Sequence, residues 1–169
     1  MTSTLWTRAK ACALGFALPI AFAFAPPVAA QTNPADGAGD LDCLAQAVYY
    51  EARGESPDGQ AAVAQVVINR SKIGRFPSTV CGVVYQGRRS GSCQFSFVCN
   101  GALRSSRDRS AWERARAVAS RALGGYVMEK VRNATSFHAL RERPKRLATS
   151  RAGVQIGGQV FIGEGRLAG

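Results

Sequence analysis

Two carboxylates four residues apart, Glu51 and Glu55, stand in the segment Val48-Tyr49-Tyr50-Glu51-Ala52-Arg53-Gly54-Glu55 and are the residues of this chain best suited to acid–base chemistry. Leu41, Leu44 and Val48 recur at helical spacing, and Glu51 continues the same face. A carboxyl group held against apolar neighbours keeps its proton towards neutral pH. Cleavage of a glycosidic bond demands that state of its general acid. If the helix ran on, Glu55 would neighbour Glu51, and like charge would push one of the two pKa values up. Gly54 interrupts that geometry, so spacing alone leaves the separation of the two carboxylates open. It also leaves open the plainer reading, a glutamate at a helix end that is solvated or paired with Arg53 or Arg70.

The other chemistry-bearing residues are fewer. His138 is the only histidine. Its ordinary reading is a sheet histidine bonded to a neighbour, and its functional reading is half of a Cys-His pair with Cys81, Cys93 or Cys99. No Gly-x-Ser-x-Gly elbow is present to support a serine triad. Gln94, Phe95 and Ser96 offer an aromatic face and hydrogen-bonding groups suited to a sugar cleft, or else a buried strand. With Tyr50 beside the acid, Glu55, Gln94, Phe95, Ser96 and His138 form the set of candidate substrate-binding or supporting residues. A zinc site is disfavoured by the single histidine and the absence of a Cys-x-x-Cys pair, so neither a metal nor any other cofactor is expected.

The chain has 169 residues and a net charge of +11. Residues 1–30 carry Arg8 and Lys10, an apolar run from Ala11 to Ala25, and Val28-Ala29-Ala30, the pattern of a cleaved secretory signal. Pro19, Pro26 and Pro27 interrupt a run already short for a membrane span. Two of the 22 basic residues and none of the 11 acidic ones lie in this segment, so the remainder carries +9. That charge suits an acidic polymer such as the bacterial cell wall, and much of it lies in the second half, at Arg104, Arg107, Arg109, Arg114, Arg116, Arg121, Arg141, Arg143, Lys145, Arg146 and Arg151. No aromatics are interleaved to stack bases, and export disfavours nucleic acid. Beyond the signal four cysteines remain, Cys43, Cys81, Cys93 and Cys99, an even number that reads as two disulfides. Three pairings are possible. Cys93 with Cys99 and Cys43 with Cys81 is the one adopted here, although sequence alone does not choose it.

These residues need elements to position them. Residues 31–40 read as a disordered leader, and 41–169 as a single domain. Asp40 or Asp42 is expected to cap the first helix, Gly54 to end it in a left-handed cap, and Ser56-Pro57 to start a second helix through Arg70 that is apolar on most of its circumference. Ser78 is expected to cap a short third helix through Tyr85. Gln94–Val98 reads as a short strand or extended loop, and Ser110-Ala111-Trp112-Glu113 as a capping box opening another helix. Asn133–Ala139 and Val154–Ile162 alternate in the strand manner. The expected fold is α+β, helical first, with a small antiparallel sheet towards the C-terminus.

The runs Cys43-Leu44-Ala45 through Glu55, Gly59 through Asn69-Arg70, Phe76-Pro77-Ser78 through Tyr85, Cys93-Gln94-Phe95-Ser96-Phe97, and Ile156-Gly157 to Phe161 closely resemble the spore-cortex-lytic, SleB-like cell wall hydrolases. The resemblance implies a lysozyme-like domain acting on peptidoglycan glycan strands, most simply as a lytic transglycosylase, with Glu51 as the acid. The rival outcomes are muramidase hydrolysis by water and a non-catalytic, basic wall-binding module. The expected protein is exported, periplasmic or cell-wall associated, monomeric and without stable membrane insertion. Family members often carry histidine in the pattern Ile-Gly-x-His where this chain has Gln159, no separate peptidoglycan-binding repeat is recognisable, and the signal and cysteines suggest a relative outside spores.

Overall fold

The computed structural model describes residues 39–141 and 153–163. The expected signal segment, most of the leader, and Arg143, Lys145, Arg146 and Arg151 lie outside the described residues.

Helix α1 spans Gly39–Ala52 and buries Cys43, Leu44, Ala45, Ala47, Val48, Tyr49 and Ala52. It starts ahead of the expected caps. Asp40 and Asp42 lie inside its first turn, where their charge suits the positive end of the helix dipole. Asp40 Oδ1 accepts from the Cys81 backbone N–H at 3.2 Å, and Asp42 pairs with Arg116. Gly54 is not a left-handed cap, since it is absent from the glycines with positive φ. The chain instead turns tightly, with Glu55 N–H donating to Ala52 O at 2.9 Å, and passes directly into the next helix.

Helix α2, Pro57–Ser71, opens as expected, with Ser56 Oγ accepting from Gly59 N at 3.3 Å. Every residue from Gly59 to Arg70 is buried, which is the lot of a helix apolar nearly all round. Its few polar side chains therefore need partners inside the protein. Gln65 Nε2 donates to Asn69 Oδ1 at 2.8 Å, and Gln65 Oε1 accepts from Met128 N at 3.0 Å. Asn69 Nδ2 donates to Val131 O at 3.1 Å and to Ala134 O at 2.7 Å, and Arg70 Nε donates to Thr135 O at 2.7 Å. This column of bonds fixes the first strand against the central helix.

Helix α3, Val80–Val84, is capped by Thr79, whose Oγ1 accepts from Gly82 N at 3.0 Å, and not by Ser78. The Cys43–Cys81 disulfide ties it to α1, and Cys93–Cys99 closes a short loop, so the expected pairing is the one observed. That second bond excludes the expected strand at 94–98. Six extended residues span roughly 20 Å, whereas the two Cα atoms are 6.0 Å apart, and Ser96–Val98 coils into a 3-10 turn. Helix α4, Arg109–Leu123, is capped by Asp108, whose Oδ1 accepts from Ala111 N at 2.7 Å. A carboxylate two positions upstream thus takes the role expected of Ser110, which lies in the first turn and donates to the same oxygen at 2.9 Å. Ala111, Ala115, Ala119 and Ala122 face the core, so α4 packs closely on α1 and α2.

Three strands complete the fold: β1 (Ala134–Ala139), β2 (Val154–Ile156) and β3 (Gln159–Gly163), antiparallel in the order β1-β3-β2. The single alternating run 154–162 is folded back on itself at Gly157-Gly158, with Gly157 at φ +60. Phe137 pairs with Phe161 and Val154 with Phe161 across the ladders, and Phe161 and Ile156 join Val63, Val66 and Met128 in a second core beneath the sheet. The fold is mostly helical with a small antiparallel sheet near the C-terminus, as the sequence implies.

Candidate active site

The last turn of α1 and the β2–β3 turn face each other across a pocket of about 550 Å³, lined by Glu51, Glu55, Ala139, Leu140, Arg141, Gly158 and Gln159. Glu51 reaches it because its helix face is the buried one: Val48 and Ala52 are almost wholly enclosed, and Glu51 between them is half-buried. Burial raises the Glu51 carboxyl above its ordinary value of 4.5. Its place in the last helical turn, at the negative end of the dipole, disfavours ionisation in the same sense.

Neither arginine named as a possible partner reaches Glu51. Arg53 donates to Tyr49 Oη at 3.2 Å and lies 5.2 Å from that ring's centroid. Arg70 is buried at the other end of α2, bonded to Thr135 O, with its guanidinium 5.4 Å from the Phe76 ring and 5.5 Å from the Phe95 ring. Among the described residues no hydrogen bond or ion pair holds the Glu51 side chain.

Glu55 is differently placed. Its Oε2 accepts from Gly158 N at 2.9 Å, and its backbone carbonyl accepts from Gln60 Nε2 at 3.2 Å. A Cβ at Gly157 would lie 2.2 Å from Glu55 Oε2, and one at Gly158 2.9 Å from Oε1. The two glycines let the hairpin come this close. Glu55 thus latches the β2–β3 turn to the α1–α2 loop. A second bond from the hairpin reaches Glu51 itself, Gln159 Nε2 donating to Glu51 O at 2.9 Å.

The remaining candidates do not line this pocket. Tyr50 stacks on Phe97 with ring centroids 4.7 Å apart and donates to Ala102 O at 3.0 Å, pinning the disulfide loop to α1. Phe95 is buried in the main core under Arg70, while Gln94 and Ser96 are exposed on the same loop. His138 is half-buried on β1, its Nδ1 2.9 Å from Ala139 O, and the cysteines proposed to pair with it are all in disulfides. Sequence reasoning missed Leu140 and Arg141 as lining residues, and it noted Gln159 only as a departure from a pattern. The available signal was the Gly157-Gly158 pair, a hairpin mark just before Gln159.

The sequence profile of the family described as Cell Wall Hydrolase matches residues 54–162. The chain belongs to this cell wall hydrolase family. The match begins just after Glu51. A spore cortex-lytic enzyme of Oceanobacillus iheyensis is 44% identical over 64 residues, 38% of this chain and 21% of that protein. The chain therefore spans about a fifth of the length of that relative. The crystal structure of the catalytic domain of the Bacillus cereus SleB protein superposes with a TM-score of 0.61 at 28% identity, covering 75% of this chain and 91% of that domain. The catalytic domain of the germination-specific lytic transglycosylase SleB from Bacillus anthracis gives a TM-score of 0.58 at 27% identity, covering 82% of this chain and 99% of that domain. A cell wall family acts outside the cytoplasm, and two disulfides agree with that setting.

Proposed function

We propose that this protein cleaves peptidoglycan glycan strands between N-acetylmuramic acid and N-acetylglucosamine as a lytic transglycosylase, with Glu51 as its single acid–base group. The observation that carries this reading is the state of the two carboxyls. Glu51 is half-buried, raised by burial and without a partner among the described residues, whereas an oxygen of Glu55 is committed to the hairpin amide. Glu51 gives its proton to the glycosidic oxygen, which leaves with N-acetylglucosamine. The resulting carboxylate then takes the proton of the muramoyl C6 hydroxyl as that oxygen bonds to the anomeric carbon. The product is a 1,6-anhydromuramoyl end, the acid is regenerated and no water is consumed. One carboxyl suffices because the nucleophile belongs to the substrate.

Hydrolysis by an activated water would need a second carboxylate as base or nucleophile. Glu55 lines the same pocket but serves there as an acceptor from Gly158. Residues 1–30 are read as the cleaved signal that exports the protein to the periplasm or cell wall, and the net charge of +9 on the remainder favours approach to an acidic wall polymer. The likeness to a catalytic domain named as a lytic transglycosylase and to proteins named as spore cortex-lytic enzymes supports the reaction class. The signal and disulfides point to a wall outside the spore.

Mass spectrometry of sacculi digested by the protein lacking residues 1–30 tests the proposal. Anhydromuropeptides are expected, and Glu51→Gln abolishes their release while leaving binding to sacculi intact. Reducing muramoyl ends would assign hydrolysis instead, and no release by the unmodified protein would assign a wall-binding module.

A further inference from the structure

Gln159 combines two properties that the fold does not require of a strand residue. Its side chain is 7% exposed and lines the pocket beside Glu51, and its Nε2 is spent on the Glu51 carbonyl at 2.9 Å. That carbonyl belongs to the last turn of α1, where main-chain oxygens lack helical partners. The other half of the amide, Oε1, is buried with no donor. Leaving an acceptor unsatisfied inside a protein costs free energy, so a donor is expected in at least one state of the site.

Few groups in the pocket can supply that donor. Glu55 serves as an acceptor from Gly158 N, and Arg141 is exposed in the turn that follows β1. Ala139, Leu140 and Gly158 bring no side-chain donor. Arg53, just beyond α1, is turned to Tyr49 and, through its charge, to Asp108. Glu51 is the remaining group, and it donates only when protonated.

We infer that Gln159 is a positioning residue for Glu51: its amide nitrogen fixes the last turn of the acid-bearing helix, and its amide oxygen accepts the Glu51 carboxyl proton before catalysis. The inference rests on the reading of Glu51 as the acid. It gives the proton a defined direction, and it releases the proton when a substrate oxygen displaces the amide as acceptor. A bond made only to the protonated form favours that form, the direction in which burial already acts. A neutral imidazole likewise carries one donor and one acceptor, so histidine can replace glutamine here, whereas methionine keeps the bulk and loses both.

Carbon-13 NMR of the Glu51 and Gln159 Cδ atoms reads the contact without any substrate. In the unmodified protein the Gln159 Cδ shift should titrate in step with Glu51. Gln159→Met should lower the Glu51 pKa by about half a unit to one unit, the worth of one hydrogen bond, and Gln159→His should restore it. The high-pH limb of glycan release should move by the same amount to lower pH in the methionine variant. An unmoved Glu51 pKa in Gln159→Met, or a Gln159 Cδ indifferent to Glu51, overturns the inference. So does lost release with an unmoved limb, which would make Gln159 merely structural. If the methionine variant does not fold, the Gln159 titration in the unmodified protein decides. A wild type that releases no glycan fragments would refute the proposed reaction and leave the carbon titrations to judge the Gln159 contact separately.

Discussion

Gly157→Ala is the sharpest perturbation of the hairpin that closes the pocket. Alanine at φ +60 pays the left-handed penalty of about 1–2 kcal/mol. Its Cβ would also lie 2.2 Å from Glu55 Oε2, so the carboxylate must swing away and lose the 2.9 Å bond from Gly158 N. A hydrogen bond to a charged group contributes about 1.5–3 kcal/mol, and at this exposed site the lower end applies. The expected loss is therefore about 2.5–3.5 kcal/mol. In a Glu55→Ala background there is no carboxylate to displace, and the same substitution should cost only the backbone penalty. Urea denaturation of the four proteins of this cycle should give a coupling of about 1.5 kcal/mol. The release of muropeptides should fall in Gly157→Ala and in Glu55→Ala alike, because both free the turn that holds Glu51. Additivity within about 0.5 kcal/mol would refute the latch, and full activity of a folded Glu55→Ala protein would refute its part in placing the acid.

The raised Glu51 carboxyl makes a second prediction, about stability. Because the folded pKa lies above the ordinary 4.5, the unfolded chain ionises first as pH rises, and the native state loses stability from pH 4.5 up to the folded pKa. Glu51→Gln, which does not ionise, should match the wild type near pH 4 apart from a constant offset. It should gain on the wild type as pH rises to 7.5, with the gain read from urea midpoints. A difference independent of pH would mean that burial does not perturb this carboxyl. The disulfides give a third prediction. Closing 38 residues between Cys43 and Cys81 stabilises by about 4 kcal/mol on chain entropy, and closing 6 between Cys93 and Cys99 by about 2. At roughly 4 °C per kcal/mol, replacing the first pair by alanine should lower Tm by about 15 °C and the second by about 8 °C. The reverse order would show that the short loop carries native contacts beyond its closure.

What was legible in the sequence is what local rules govern. The apolar face of α1, the nearly all-round apolar α2, the Ser56-Pro57 start and the positions of β1 and β3 follow from nearest neighbours along the chain, and all appear in the structure. The errors cluster where two local signals compete. Asp108 and Ser110 both suit a cap, and the carboxylate wins because it is a stronger acceptor for Ala111 N. At 94–98 an alternating pattern competed with a short disulfide, and the covalent bond wins because an extended segment cannot return on itself within 6.0 Å. The place of Glu51 on the inward face of α1 was found by periodicity. The missing charge partner was not, because it depends on Arg53 and Arg70 turning to Tyr49 and Thr135, contacts that no spacing along α1 encodes.

The site's precision comes from the part of the fold that sequence reading captured least. The bonds Gly158 N to Glu55 and Gln159 Nε2 to Glu51 O join residues 103 and 108 positions apart, and both come from one turn of the β2–β3 hairpin. They grip the two ends of a five-residue stretch whose first residue is Glu51, the proposed acid. The hairpin is in turn held through β3 to β1, and β1 to α2 by Asn69 and Arg70. A chain of contacts thus runs from the buried polar face of the central helix, through the sheet, to the carboxyl on α1. Contacts so distant in sequence form only when the whole domain has folded, because loop closure must be met before they contribute. The geometry that raises the Glu51 carboxyl is therefore a property of the complete fold, and partial unfolding of the sheet returns it to an ordinary, solvated glutamate.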